Sequence, residues 1–149
     1  MATQWTAGTV SGQVLTAATL NTIGAAWVDY TPTLTQSVTV TKTTSYARYC
    51  QFQKTVIVQV FLVATSAGTA AQEIVVGLPL TATGSTGRAI GTGFIYDASA
   101  NVIYNMTSFL NTTTTAKFFW QSGFGFGLSP NIALANGDQL AFTFTYEVP

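Results

Sequence analysis

The chain has 149 residues, five Lys/Arg, five Asp/Glu, no histidine and a single cysteine. Only 7% of its residues are charged, against about 25% in an average soluble domain. Zero net charge gives no electrostatic footprint for nucleic acid or an anionic membrane, and the lack of His and paired Cys excludes zinc centres, Ser–His or Cys–His catalysis and an internal disulfide.

No metal or cofactor is expected. A content of 48% hydrophobic and 13% aromatic residues is ample for one buried core, so the composition predicts one folded domain rather than a disordered chain. A surface with so few ionised groups tends to self-associate, so part of it is expected to be covered by copies of the chain or by a partner. The 27 threonines fit an uncharged but hydrated β surface, since β-branching favours strands while the hydroxyl binds water.

Residues 1–26 form a separate N-terminal arm by composition, rich in Thr, Ala and Gly. Residues 1–12 carry no basic stretch ahead of an apolar one, so no signal peptide is expected. Thr16 to Gly24 reads as a short helix, with Thr16 as N-cap, Leu20 and Ile23 on one face and Gly24 as C-cap. So short a helix is marginal alone and needs a surface to dock on. From Trp27 onward the pattern is β. Thr31 to Val40 alternates, with Leu34, Val38 and Val40 able to share a face. Ser45 to Gln53 alternates Tyr46, Arg48, Cys50 and Phe52 against Ala47, Tyr49, Gln51 and Gln53. A tight turn is expected at Lys54-Thr55.

Thr55 to Val63 is almost continuously apolar, which predicts a central strand covered on both faces. It is too short for a membrane span, which needs about 20 residues. Glu73 to Leu78 is a further strand stopped by Pro79, and Thr81 to Gly87 is a loop. Arg88 to Tyr96 and Val102 to Met106 read as a hairpin around Asp97 to Asn101. Phe109, Lys117 to Trp120 and Phe124 to Leu128 read as strands or strand edges, with the threonine run 112–115 in a loop. Gln139 to Val148 alternates cleanly, Leu140, Phe142, Phe144 and Tyr146 facing one way. Short strands at this spacing, without intervening helices, predict an all-β antiparallel β-sandwich over residues 27–149, jelly-roll-like or Greek-key in order.

Chemistry-bearing motifs are sparse. Gly123-Phe-Gly-Phe-Gly127 has the glycines of a phosphate loop but no helix after it. A Gly/Phe alternating strand is the stronger reading, with the glycines admitting a neighbouring backbone, and it makes Phe124, Gly125 and Phe126 candidates for a subunit interface. Gly91-Thr-Gly93 reads the same way. Five carboxylates could in principle supply a glycosidase pair, but Asp97 and Asp138 fall in turns, where hydrogen bonding to the backbone is their ordinary work. Cys50 reads as a small buried hydrophobe. Tyr96, Tyr104, Phe109, Trp120, Phe124 and Phe126 could line a carbohydrate platform, although core or subunit packing is the commoner use of such residues.

Several segments together resemble a family. They are Trp5-x-Ala-Gly8, Val14-Leu-Thr-Ala-Ala-Thr-Leu-Asn21, Trp27 to Thr35, Tyr46 to Val56, Gly77-Leu-Pro79, Ala135 to Leu140 and Thr145-Tyr-Glu147. In this order the chain resembles small β-rich virion proteins of tailed phages, of the capsid decoration, head-fibre or minor tail type. Ser11-Gly12 departs from that pattern as an insertion. Gln53 departs from it where such proteins often carry glycine before the Lys, which implies a different turn.

The resemblance implies a non-enzymatic homotrimer on the outer capsid surface, holding the major capsid protein or another virion protein. Attachment would run through the arm, with Trp5, Leu15, Leu20, Ile23 and Trp27 as apolar anchors. The alternative it implies is a tail-tip or tail-fibre module that binds host-surface glycans. Neither involves nucleic acid or membrane insertion.

Overall fold

The computed structural model describes residues 26–149 apart from Ser85 and Ser122. The helix expected over residues 16–24 lies outside that range. Among the described residues there is no helix. The elements are β1 (Val28–Asp29), β2 (Leu34–Gln36), β3 (Val38–Thr39), β4 (Lys42–Phe52), β5 (Thr55–Ala64), β6 (Val75–Gly77), β7 (Ala89–Asp97), β8 (Val102–Thr112), β9 (Thr115–Phe119) and β10 (Gln139–Glu147).

All of these pair antiparallel, in the order β1-β4-β5-β10-β7-β8-β9-β6-β2-β3. The all-β antiparallel expectation is therefore met. A sandwich divides into two separate ladders, whereas here one continuous ladder carries every strand. Chain connectivity makes that sheet curl. Strand β3 ends one side of the order, β4 lies next to the other end, and only Val40 and Thr41 separate them in sequence. The sheet must bend round to bring these strands together, and it forms a half-barrel. The Thr65 amide donates to Thr41 O at 2.7 Å, tying the end of β5 to that crossing point.

Strand alternation supplies the core. Leu140, Phe142, Phe144 and Tyr146 of β10 all point inward, as their spacing predicts, beside Val56, Val58, Val60 and Leu62 of β5. From across the half-barrel, Phe118 of β9 stacks on Phe142, with centroids 4.0 Å apart and planes 16° apart. Room for these rings comes from β7, where Gly91 and Gly93 stand opposite Phe144 and Phe142. A Cβ on either glycine would run into the β10 backbone at Thr143 O or Ala141 O. This is the close backbone approach expected of the Gly91-Thr-Gly93 segment.

Four expectations need correction. Strand β5 is central but one-sided: Ile57 is 38% exposed and Gln59, Phe61 and Val63 are half-buried, because only its even-numbered residues face the core. Val38 does not join Leu34 and Val40, because Ser37 takes a positive φ of 65°, turns the chain and leaves Val38 48% exposed. The turn after β4 is Gln53-Lys54, one residue earlier than expected, since Phe52 pairs with Thr55. Residues 124–128 are not a strand. They make only isolated bridges, from Gly125 to Phe119 and from Gly127 to Asn131.

The loop over residues 124–134 is held by a buried amide. Gln36 is 0% exposed on the inward face of β2. Its Nε2 donates to Gln72 O at 3.0 Å and Ile132 O at 2.7 Å, while its Oε1 accepts from the Leu134 amide at 2.8 Å. Both donor hydrogens are used, as a buried amide requires. One side chain thus fastens two long loops to β2.

Candidate functional site

Of the predicted attachment anchors, Trp5, Leu15, Leu20 and Ile23 lie outside the described residues. Trp27 lies just ahead of β1 and is 42% exposed. The Arg48 guanidinium sits over its ring, 4.8 Å from the centroid, and 5.8 Å from the ring of Tyr46. Arg48 Nε and Nη2 both donate to Gln59 Oε1, at 3.2 and 2.9 Å. Two aromatic rings and one amide therefore fix the orientation of this cation.

The three predicted interface residues separate. Phe124 is 62% exposed, while Phe126 is 0% exposed in the core, its ring 5.0 Å from that of Tyr104. Phe126 therefore packs in the chain's own interior and offers no surface to a partner. Gly125 is buried against Glu73, whose carboxylate a Cβ would strike, and Glu73 pairs with Lys117 at 3.1 Å. The expected alternation of faces fails because the segment folds back as a loop instead of running along a ladder.

The six aromatics of the predicted carbohydrate platform do not share a surface. Tyr104 pairs in register with the inward Ile95 and packs edge-on against Trp120 at 5.2 Å. Phe109 packs instead on Phe119, at 4.8 Å, over the outer face. Tyr96 also belongs to the outer face, and its hydroxyl donates to Asn101 Oδ1 at 3.0 Å. Cys50 is buried, as a small hydrophobe would be.

Asp97 and Asp138 do turn work. Asp138 is 1% exposed, and its two oxygens accept from the Ala98 amide at 2.9 Å and the Ala135 amide at 2.8 Å. Burial raises its pKa, and this outweighs those two bonds, with the negative charge of Asp97 adding to the rise. Asp97 Oδ1 accepts from Ser99 Oγ at 2.7 Å and the Ala100 amide at 2.9 Å. Burial pushes its carboxyl upward as well, but these bonds prevail and hold it below the usual range. Two of the five acids are thus neighbours whose oxygens are occupied by turns. Among the described residues, no three acids or Cys cluster as metal ligands.

Two tyrosines, Tyr146 and Tyr30, pack at the core. Tyr146 Oη donates to Leu80 O at 3.0 Å, and burial pushes its pKa up to about 12. Tyr30 Oη is enclosed without a hydrogen-bond partner, and burial raises its pKa further still.

The outer face of the sheet was not singled out by the sequence reading. Register places two rows of outward residues side by side. One row is Tyr46, Phe61, Ala141, Phe94 and Asn105, and the other is Arg48, Gln59, Thr143, Thr92 and Thr107. Between them runs a shallow trough with two adjoining hollows of about 470 and about 140 Å³, which share Thr92, Gly93 and Phe94. Tyr46 stands at one end, Asn105 and Thr107 at the other. Strict alternation in β4, β7 and β10 is the signal that could have found it, once pairing was known. No protein-family model, curated protein or solved structure matches the chain.

Proposed function

We propose that this chain is a non-enzymatic virion structural protein of a tailed phage, a trimeric capsid decoration protein that attaches through residues 1–26. In this reading the half-barrel does the work of a jelly-roll-like sandwich, projecting from the capsid lattice. The observation that carries the reading is where the β body begins. The first described strand, β1, is one of the two edge strands of the sheet and holds to β4 by only two residue pairs. Among the described residues, packing into the core begins only after β1, with Tyr30, Pro32 and Leu34. In this reading, removing the segment ahead of Trp27 leaves every side chain of that described core in place. The neutral, threonine-rich composition suits a module crowded among copies of itself. Phe124 and Leu128, 62% and 42% exposed, supply apolar surface for the trimer contact.

The test is deletion of residues 1–26. The truncated protein is expected to keep its cooperative melt and to lose co-sedimentation with phage capsids lacking the native protein. A truncated protein that folds and still decorates those capsids overturns the reading.

A further inference from the structure

We infer that the outer trough binds a neutral oligosaccharide. The argument concerns β4, β5, β10, β7 and β8 and does not depend on capsid attachment. A sugar ring offers apolar C–H faces and an equatorial belt of hydroxyls, so its site needs aromatic surface beside fixed donors and acceptors. Both are present. Tyr46 is 47% exposed, stands at the trough's end and leans on Phe61 with centroids 6.0 Å apart. Beside it, Arg48 is oriented by Trp27 and Gln59, which lowers the cost of ordering it when it donates. Its Nη1 has no acceptor among the described residues, and neither has the Gln59 amide nitrogen.

The hydroxyls point the same way. Thr92, Thr107 and Thr143 line the trough, and their hydroxyls have no side-chain partner among the described residues, so all three can face a ligand.

Charge selects the ligand class. Arg48 is the only ionised side chain in the two rows, and Asp29 stands opposite it in the β1–β4 register. No ion pair joins them, yet the two charges cancel locally, so an anionic sugar gains little net attraction. A cation beside an acid suits uncharged diols, to which one donates and from which the other accepts.

The test is an array of neutral hexose and N-acetylhexosamine oligosaccharides printed beside uronic- and sialic-acid glycans. The best-bound sugar is then titrated calorimetrically against the full chain. Saturable binding to a neutral glycan is expected, weakened at least tenfold by Tyr46→Ala and by Thr92→Lys. Both positions are exposed, so the fold should survive either change, and Val38→Thr, exposed but outside both rows and both hollows, should leave affinity unchanged. Three outcomes overturn the inference: no neutral glycan binds, acidic glycans alone bind, or neutral binding persists undiminished in both trough variants.

Discussion

The ring of Phe118 lies almost flat on that of Phe142, 4.0 Å between centroids, although β7 and β8 separate their strands within the sheet. Such a contact exists only because the sheet curls into a half-barrel. Phe144 extends the stack, 5.9 Å from Phe142 and 6.4 Å from Phe118. Packing across the half-barrel, more than pairing along it, holds the curl.

Phe118→Ala is therefore expected to cost about 3–5 kcal/mol, the range for emptying a fully buried aromatic site. Phe118→Leu should cost less, since it refills most of the volume. Urea unfolding of the two variants measures both. Near-equal losses would mean that the stack itself, rather than the filled space, is what matters.

Gln36 offers a sharper test, because its value is entirely polar. Gln36→Leu keeps the bulk but strands Gln72 O, Ile132 O and the Leu134 amide away from water. Orphaned buried groups cost about 1–3 kcal/mol each before relaxation, so a net loss of about 2–4 kcal/mol is expected. Hydrogen exchange should also show faster opening at Leu134 than in β5 or β10. A loss below about 0.5 kcal/mol would show that the loops hold themselves in place.

Gln36 also shows where sequence reading stopped. Strands with strict alternation were legible: β10 and the β7–β8 hairpin follow directly from their spacing and from the Asp97–Asn101 turn. Gln36 alternates correctly with Leu34, but a glutamine gives no sign of burial until the three backbone groups it serves are brought near from 36 to 98 residues away. The same reason hid the nature of the Gly123–Gly127 segment. Its Gly/Phe alternation imitates a strand, yet only tertiary partners decide that Phe126 goes inward and the backbone loops. The outer trough was invisible because it is written across five strands, and pairing order does not follow from one chain's spacing. The half-barrel was hidden likewise, since curl depends on which strands end the sheet.

The turn joining β4 to β5 carries an adjustable strain. Gln53 sits at φ 52°, in the left-handed region that glycine enters without penalty. The Gln51 side chain bonds to the Gln53 carbonyl, at 2.7 Å, so removing the Gln53 side chain leaves that contact intact. Gln53→Gly should raise stability by about 0.5–1 kcal/mol, the relief of a left-handed non-glycine residue less the added entropy of the unfolded chain. A thermal melt that moves down instead would assign the Gln53 side chain a role in the native state.

Asp97 and Asp138 should give opposite pH signatures. Asp97 is held below its unfolded value of about 3.9, so its contribution is present above that pH and is lost as pH falls through the folded pKa. Asp138 is raised, so its contribution is fully present below the unfolded value and is lost as pH rises through the folded pKa. The destabilisation caused by Asp97→Asn should then be largest at neutral pH and shrink on acidification below about pH 4. That caused by Asp138→Asn should be largest in acid and shrink as pH rises. Parallel chemical denaturation of both variants and the parent, from pH 3 to 7, measures the two slopes. Slopes of the same sign would mean that the Ala98 and Ala135 amides stabilise the ionised Asp138 carboxylate more strongly than burial opposes it.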